Sequence, residues 1–349
     1  MNARLEAASF VEDSLEAGFA AAGVARCEPA ARGQVFLAWM AAGGNGGMQW
    51  MERNLEVRID PRMLLEGGRS IVCVADRYPH PDQSGSAGEG SVAAYARGSD
   101  YHRVMKRRLH ALCDQWADRW PDASFRACVD TAPIMEREHA ERAGLGRVGK
   151  NTMLIHPGVG SWSLLGEIIT TLEIQETDSA AADPCGTCTR CIDACPTDAL
   201  TPWSLDANRC IAALTIEQRQ AIPVDLHEGI GTWLFGCDEC QRVCPHNAPT
   251  ARTGAASVNA AYEPQHGSLD LRSILDWSQE ARVSAIAGTP MVRATLDMWR
   301  RNACIVAGSH LAMGQKGELR QRLREIAADD SEPQMIREAA AAALQRSPQ

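Results

Sequence analysis

Residues 185–196 read Cys185-Gly186-Thr187-Cys188-Thr189-Arg190-Cys191-Ile192-Asp193-Ala194-Cys195-Pro196, so four cysteines follow the spacing C-x2-C-x2-C-x3-C and a proline comes next. This spacing is typical of chains that bind two [4Fe–4S] clusters. The first three thiolates bind three iron atoms of one cluster, and the fourth cysteine binds the other cluster. The stretch therefore predicts a module built around two iron–sulfur clusters.

A second group of cysteines completes the predicted ligand set. The stretch Cys237-x2-Cys240-x3-Cys244-Pro245 repeats the pattern with one cysteine missing, and Cys210 is available in its place. All eight cysteines are then used in a bacterial-ferredoxin-like arrangement. We assign four ligands to each cluster: Cys185, Cys188, Cys191 and Cys244 to cluster 1, and Cys195, Cys210, Cys237 and Cys240 to cluster 2. The alternative is zinc, which also uses paired C-x2-C ligands.

The composition is that of a globular protein from a reducing compartment. The chain has 349 residues, 45% of them hydrophobic, and 13 cysteines. In the cytoplasm so many cysteines indicate metal ligation rather than disulfides. Five solitary cysteines are interpreted as small buried hydrophobes: Cys27, Cys73, Cys113, Cys128 and Cys304. We see no secretory signal and no apolar run of membrane length, so we expect a cytoplasmic protein that does not bind membranes, and a monomer.

The order of predicted elements favours an α+β protein with three domains. Residues 1–175 are expected to form an α/β domain, 176–250 the cluster module, and 251–349 a helical module that resembles HEAT repeats. A Gly/Ala/Ser-rich stretch near 251–260 separates the last two. Residues 1–60 read as helical. The predicted strands are 70–75, 92–95, 125–129, 152–156 and 162–174, and the predicted helices are 101–120, 133–142, 290–313, 318–328 and 333–345.

Several short segments, read together with the unequal cysteine runs, resemble the epoxyqueuosine reductase family. They are Met51-Glu52-Arg53-Asn54, Tyr95-Ala96-Arg97-Gly98-Ser99-Asp100-Tyr101-His102, Val129-Asp130-Thr131-Ala132-Pro133-Ile134-Met135-Glu136-Arg137, Gly149-Lys150-Asn151-Thr152, Gly160-Ser161-Trp162 with Gly166-Glu167, Asp206-Ala207-Asn208-Arg209-Cys210-Ile211 and Arg301-Asn302-Ala303. The resemblance covers roughly residues 45–345. No segment apart from the cysteine runs would suffice alone.

The resemblance implies a cobalamin-dependent reductase that converts epoxyqueuosine to queuosine at the wobble position of tRNA, the last step of queuosine biosynthesis. It implies cob(II)alamin as the resting cofactor, two [4Fe–4S] clusters and an external electron donor of unknown identity. Two alternatives remain open. One is a reductive dehalogenase that acts on a small organohalide, and the other is a non-catalytic iron–sulfur electron-transfer protein. The 175 residues before the cysteines argue against the latter, since a plain ferredoxin needs far fewer.

Asp130 matches the proton donor of that family. Removal of the epoxide oxygen as water needs a general acid. A carboxyl group holds a proton near neutral pH when burial or a nearby negative charge favours the neutral form. The alternative role is to cap the helix predicted after it. The resemblance also implies cobalamin contacts at Arg53, Tyr95, Arg97, Asp130, Lys150, Asn151, Ser161, Glu167 and Asp238. No lower axial histidine for cobalt can be identified: His102 and His156 are candidates by residue type alone, and cobalt ligation by the protein is not expected.

The C-terminal module is the expected tRNA-binding surface. The net charge of the whole chain is −9, which argues against a general affinity for nucleic acid. Basic residues nevertheless outnumber acidic ones between residues 290 and 325, and a basic helical face suits phosphate groups. We expect tRNA contacts at Arg293, Arg300, Arg301, Lys316 and Arg320. A second basic candidate is the helix that contains Arg103, Lys106, Arg107 and Arg108. The alternative for each residue is a solvated helix surface.

Overall fold

The computed structural model describes residues 5–80, 87–178, 182–248, 258–266, 268–314 and 317–346. The strands are β1 (Ala21–Arg26), β2 (Ser70–Arg77), β3 (Glu89–Val92), β4 (Phe125–Cys128), β5 (Arg147–Val148), β6 (Leu154–Ile155), β7 (Ser163–Thr170), β8 (Leu200–Thr201), β9 (Ser204–Leu205), β10 (Trp233–Phe235) and β11 (Ser268–Asp270). The helices are α1 (Ala7–Glu16), α2 (Gly33–Ala41), α3 (Leu55–Ile59), α4 (Tyr101–Arg119), α5 (Glu136–Arg142), α6 (Arg190–Asp193), α7 (Ile211–Ile216), α8 (His227–Ile230), α9 (Glu239–Arg242), α10 (Leu271–Leu275), α11 (Gln279–Ile286), α12 (Leu296–Ala312), α13 (Glu318–Ala328) and α14 (Gln334–Gln345). Across these ranges, no helix combines the length and apolar character that crossing a membrane requires.

The N-terminal part is built on a four-stranded sheet in the order β1-β2-β7-β4, and every neighbouring pair is antiparallel. Successive side chains on a strand point to opposite faces. Val72 and Ile168 therefore pack under α1 and α4, whereas Cys73 and Ile169 pack on the face that carries α5. The expected α/β description of this part is wrong, because that class requires parallel strands joined by crossover helices. The α+β class of the whole chain is confirmed.

Strand β1 is the element that the sequence concealed, since residues 1–60 were expected to be helical. Its residues are Ala-Ala-Gly-Val-Ala-Arg, which show no alternation of large apolar and polar side chains. The reason is close packing. A Cβ atom at Gly23 would lie 2.0 Å from the carbonyl oxygen of Ala143, so the neighbouring chain leaves room only for small residues. A strand selected for small size lacks the pattern by which strands are recognised.

The other expected elements before residue 175 are confirmed with shifted ends. The strands expected at 70–75, 125–129, 152–156 and 162–174 are β2, β4, β6 and β7, and the helices expected at 101–120 and 133–142 are α4 and α5. The strand expected at 92–95 is instead β3, which ends at Val92 and gives way to a 3-10 turn over Ala94–Ala96. The turn forms here because the Ala94 N–H donates to Asp238 at 2.8 Å, so the segment leaves the strand pairing.

A second sheet joins all three parts of the chain. Strand β3 pairs in parallel with β10 and antiparallel with β11, so residues from before, within and after the cysteine-rich stretch share one set of backbone hydrogen bonds. The domain limits at 175 and 250 stay predictions, and most of the stretch 251–260 lies outside the described residues. The sheet holds the cysteine-rich stretch against the segment that leads to α4.

The C-terminal part is organised around α12, which lies buried among α10, α13 and α14. The helices expected at 318–328 and 333–345 are confirmed as α13 and α14. The helix expected at 290–313 is divided: a 3-10 turn over Pro290–Arg293 comes first, and Thr295 then caps α12 by accepting from the Met298 N–H. The assignment to HEAT-like repeats stays a prediction.

Arg301 on α12 is part of the core, so its expected contact with tRNA is wrong. Its side chain is fully buried, and its guanidinium donates to the carbonyl oxygens of Leu214, Gln218 and Gln220 at 2.6–3.0 Å. These carbonyls lie at and after the end of α7, where backbone acceptors have no partner within the helix. Arg301 therefore fastens the cluster module to the C-terminal helices.

Replacing Arg301 by methionine is expected to lower the free energy of unfolding by about 3–5 kcal/mol, because three carbonyls, one buried and two partly buried, lose the guanidinium that donates to them. Chemical denaturation with circular dichroism measures the change. The control is Arg324→Met, an exposed arginine on α13, for which a change within about 0.5 kcal/mol is expected. Equal stabilities for the two variants would contradict the fastening role.

Candidate active site and cluster centre

Four of the cysteines line a single cavity. Its walls are formed by Cys185, Cys188, Cys191 and Cys244, together with two prolines, Arg190 and His246. Burial, and then the charges of Cys185, Cys191 and Cys188, raise the pKa of the Cys244 thiol. One cluster is bound by several thiolates, so its ligands must lie close together. Each thiol releases its proton when it binds iron. The set is the one proposed for cluster 1.

The other four cysteines form a second group. Burial is the largest cause that raises the pKa of the Cys240 thiol, and Cys210 and Cys195 contribute. Burial, and then Cys240 and Cys210, likewise raise the pKa of the Cys237 thiol. Cys210 lies at the start of α7, and Cys240 lies within the short helix α9. The group matches the set proposed for cluster 2, and burial and then the charge of Cys195 raise the pKa of the Cys210 thiol. Cys191, from the set proposed for cluster 1, also contributes to the raised pKa of Cys240, so the division of Cys191 and Cys195 between the clusters stays a prediction.

Two predicted cobalamin contacts hold the cluster loops in this structure. The Lys150 ammonium donates to the carbonyls of Gly186 at 2.7 Å and Cys188 at 3.1 Å, and the Lys150 N–H lies 3.3 Å from the Cys185 sulfur. The Asn151 amide donates to the Cys240 carbonyl at 3.4 Å. One turn of backbone therefore positions both cysteine groups. Whether these side chains also contact a cofactor stays a prediction.

Asp130 lies in the turn directly after β4, where the Ala132 N–H donates to the Val129 carbonyl at 2.7 Å. Its carboxylate accepts two hydrogen bonds from the first turn of α4, one from the Tyr101 hydroxyl and one from His102 Nε2, which is 2.9 Å away. The alternative role as a helix cap is wrong, because α5 begins after Met135 and has no side-chain cap. The Asp130 side chain is thus held by two donors and is 39% exposed.

Asp100 completes a chain of side chains behind Asp130. It caps α4 by accepting from the His102 N–H, and its Oδ1 also lies 2.6 Å from His102 Nδ1. Burial alone would lower the pKa of His102, but hydrogen bonds to Asp100 and Asp130 outweigh it and raise that pKa to about 9. His102 is therefore a cation at neutral pH and donates from both ring nitrogens.

We call Trp50, Glu217 and Arg293 the rim of this site. Trp50 and Glu217 were not identified as functional from the sequence. The Trp50 indole N–H donates to Glu217 at 3.3 Å, and the Arg293 guanidinium donates twice to the same carboxylate at 2.9 and 2.8 Å. Trp50 is 39% exposed, and the Arg293 guanidinium lies 5.9 Å from its ring centre. The hydrogen bond to Glu217 is the main cause that raises the pKa of Arg293, and the charges of Asp130 and Tyr101 add to it, which places Arg293 near Asp130.

Trp50 directly precedes the segment Met51–Asn54, so its place beside that segment was a usable signal. Glu217 gave no such signal, because it lies 167 residues from Trp50 and in none of the segments that resemble the family.

The remaining predicted cobalamin contacts differ in how their polar atoms are used. Arg97 donates to the Val92 carbonyl, Ser161 donates to Gln241, and Asp238 accepts from Ala94. Burial raises the pKa of Asp238 to about 6. Tyr95 lies with its ring 6.0 Å from that of Tyr101, and Arg53 is exposed.

Glu167 is the one predicted cobalamin contact that the structure contradicts. It lies inside the sheet on β7 with its side chain 1% exposed, and its carboxylate pairs with the buried His139 at 3.0 Å. A group enclosed between the sheet and α5 cannot reach a cofactor in this arrangement. Glu167 instead fixes the helix that follows the Asp130 turn.

The residues predicted to contact tRNA differ in how far their side chains are exposed. Arg293 lies on the rim, whereas Arg300 is largely buried in a two-armed ion pair with Glu332 at 2.7 and 2.5 Å. Arg320 is half-buried on α13, and Lys316 lies outside the described residues. On α4, Arg103, Lys106 and Arg107 are exposed and lie within about one and a half turns of His102. Exposed basic groups are therefore available on α4 close to His102 and at Arg293.

Comparison with known proteins agrees with this architecture. The family model Epoxyqueuosine reductase QueG, DUF1730 matches residues 58–131, and the model 4Fe-4S double cluster binding domain matches residues 184–247. An epoxyqueuosine reductase from Synechococcus sp. (strain RCC307) is 39% identical over 83% of this chain and 90% of its own length. The chain belongs to the epoxyqueuosine reductase family. One from Synechocystis sp. (strain PCC 6803) is 42% identical over 76% of this chain and 91% of its own length.

Solved structures of the epoxyqueuosine reductase family extend the match over nearly the whole chain. A crystal structure of an epoxyqueuosine reductase with an epoxyqueuosine-modified tRNA-Tyr stem loop covers 97% of this chain and 89% of its own, with 29% identity and a TM-score of 0.84. The Bacillus subtilis enzyme, solved with its catalytic aspartate loop swung out of the active site, covers the same shares with 28% identity and a TM-score of 0.84. The family predicted from the sequence is confirmed, and [4Fe–4S] ligation is favoured over zinc by the matching domain model.

Proposed function

We propose that this protein reduces epoxyqueuosine to queuosine at the wobble position of tRNA. The observation that carries the proposal is the Asp130 carboxylate, which is partly exposed and held by Tyr101 and His102, in a chain that also gathers two groups of four cysteines. That combination supplies a proton at one point and, once the clusters are bound, a source of electrons. The relatives that match most of the chain are named for this reaction, and one of the solved structures holds the modified tRNA stem loop.

Cobalamin is proposed as the cofactor between the clusters and the substrate, and the surroundings of Asp130 fit such a group. The Trp162 indole N–H is buried and has no hydrogen-bond partner in the part of the chain that the structure describes. Its ring belongs to the same apolar cluster as Tyr101, with Tyr95 packed against that cluster. An open donor beside aromatic faces suits a large, flat cofactor that carries amide groups at its edge.

Some residues of this chain would contact the cofactor, and others would hold the loops around it. Tyr95, Trp162 and the exposed Arg53 would contact cobalamin, while Ser161 and Asp238 hold the surrounding loops. When bound, cobalamin would collect electrons from the clusters one at a time and act on the epoxide carbon. The charge of Asp238 helps to raise the pKa of Cys240 and the pKa of Tyr95. The charge of Asp130 also helps to raise the pKa of Tyr95. Cluster 2 is therefore proposed as the cluster nearer to the substrate.

The experiment that tests the function is an anaerobic assay with tRNA that contains epoxyqueuosine. The protein is reconstituted with iron, sulfide and cobalamin, and a chemical reductant replaces the unidentified electron donor. Nucleosides are then separated after digestion, and queuosine is identified by mass. Formation of queuosine that depends on cobalamin is the expected result. A preparation that has both clusters and bound cobalamin but forms no queuosine would contradict the proposal.

Binding of the tRNA is expected to weaken with salt, because the exposed bases Arg103, Lys106 and Arg107 on α4 would neutralise phosphates next to Asp130. Three such contacts predict a loss of about 20- to 40-fold in affinity between 50 and 200 mM salt. Fluorescence anisotropy with a labelled anticodon stem loop measures it. Lys106→Gln should reduce the salt dependence by about one phosphate contact, whereas Arg69→Gln should leave it unchanged. An affinity that does not vary over this range would contradict the footprint.

A further inference from the structure

We propose that His102 is the proton reservoir of Asp130, and that the chain Asp100–His102–Asp130 reloads the carboxylate during each turnover. The inference deepens the proposed function and rests on it. Two side chains that donate to one carboxylate, backed by a second carboxylate at 2.6 Å, form a continuous path for a proton to the substrate. His102 acts through Asp130, so it is a positioning and proton-supplying residue and does not itself touch the epoxide.

The stoichiometry of the reaction requires more than one proton. Both C–O bonds of the epoxide break, a C=C bond forms, and the oxygen leaves as water, so two electrons and two protons are consumed. The electrons come from the clusters, which the external donor refills. A single carboxyl group delivers one proton and must then be protonated again before the hydroxyl can leave. His102 Nε2, 2.9 Å from Asp130 Oδ1, is positioned to do this.

His102 lies between two carboxylates, with Nδ1 2.6 Å from Asp100 and Nε2 2.9 Å from Asp130. Burial opposes the positive charge on His102, but Asp100 and Asp130 together overcome it and raise its pKa to about 9. The imidazolium is therefore the group that can return a proton to Asp130 after that carboxyl has given its own to the leaving oxygen.

Other charged and aromatic groups face Asp100, His102 and Asp130 from α4, from α5 and from the C-terminal part. On α4, the Tyr101 ring stacks on His102 with centres 4.0 Å apart, and Arg103 contributes to the charge around Asp100. On α5, the charge of Asp130 helps to raise the pKa of Glu136. In the C-terminal part, the same charge helps to raise the pKa of the Arg293 guanidinium. Burial and the two aspartates are the causes that act on the pKa of His102 itself, so the two aspartates set its charge. The ring is 31% exposed, which lets solvent protonate it again.

The test is the pH dependence of single-turnover reduction in the reconstituted holoenzyme. His102→Gln keeps an N–H that can donate to Asp130 but cannot carry an extra proton. In the wild type the rate should fall as pH rises through about 9, because the raised pKa keeps His102 charged only below that value. The variant should be slower by about 10²-fold and should lack this alkaline limb. The matched control is His110→Gln, an exposed histidine on the same helix, which should keep both the rate and the limb.

A second variant separates a proton reservoir from a purely structural role. Asp100→Asn keeps a good helix cap but removes one of the two charges that hold the proton on His102. Its alkaline limb should move to lower pH while tRNA affinity and cluster absorbance stay unchanged. A wild type that forms no queuosine would refute the proposed function. A wild type that forms it, with His102→Gln equal to it in rate and pH profile, or with the limb of Asp100→Asn unmoved, would refute the reservoir alone.

Discussion

Epoxide reduction is expected to fall by about 10²–10⁴-fold when Asp130 is replaced by asparagine, because the amide cannot release a proton to the leaving oxygen. The shape of the side chain is nearly unchanged, and asparagine still accepts a hydrogen bond from His102. Within the described residues the Asp130 carboxylate is hydrogen-bonded by Tyr101 and His102, and not by the cysteine loops, so both clusters should remain. The measurement is single-turnover conversion of epoxyqueuosine tRNA under saturating enzyme, which isolates the chemical step.

The control for this variant is Asp114→Asn. Asp114 is exposed on α4, away from the capped first turn, and the substitution changes the net charge by the same amount. Iron content, absorbance near 400 nm, cobalamin binding and tRNA affinity should be equal in the two variants and the wild type. Turnover by Asp130→Asn within a few-fold of Asp114→Asn would eliminate Asp130 as the acid.

The parts of the site that depend on local spacing could be predicted from the sequence. Thiols two residues apart can meet around one cluster, and the structure gathers Cys185, Cys188, Cys191 and Cys244 around one cavity as that spacing predicted. The use of Cys210 followed from counting ligands. Long elements with a clear apolar period, such as α4 and α13, were also placed well, because their pattern does not depend on distant partners.

The parts that failed depend on partners far away in the chain. A charged side chain looks the same in sequence whether it faces solvent or is bound internally. Arg301 donates to carbonyls more than 80 residues away, and Arg300 is paired with Glu332. Glu167 was expected beside the cofactor, yet it pairs with His139 inside the sheet. Residue type gave the correct charge in each case, but only the fold decides which charges remain available to a ligand.

His102 shows an intermediate case. The segment Tyr95–His102 was recognised as belonging to the family, but the roles of Asp100 and His102 within it could not be read from spacing. Asp100 reaches His102 because the carboxylate caps α4 two residues earlier in the chain, a local contact. Asp130 reaches the same ring from β4, 28 residues later. The proton path becomes visible only when the cap and the turn are brought together.

The loss of one whole cluster is expected when Cys210 is replaced by serine. Its thiol belongs to the group with Cys195, Cys237 and Cys240, and a serine hydroxyl is a poor substitute for a thiolate ligand. Iron should fall from about eight to about four atoms per chain. Epoxide reduction with the chemical reductant should be lost or nearly lost, because cluster 2 is proposed to be the cluster nearer to the substrate. Cys113→Ser, a solitary buried cysteine on α4, is the control and should keep all of its iron.

Double variants test the crosswise sharing of ligands directly. Cys195 follows the cluster 1 triplet in sequence but is proposed to bind cluster 2, since burial and then the charge of Cys195 raise the pKa of the Cys210 thiol. Cys195→Ser combined with Cys210→Ser should therefore lose no more iron than Cys210→Ser alone, leaving about four atoms. Cys191→Ser combined with Cys210→Ser should lose both clusters. If the first pair loses both clusters as well, Cys195 serves cluster 1 and the assignment is wrong. If Cys210→Ser alone retains eight irons, another residue completes cluster 2.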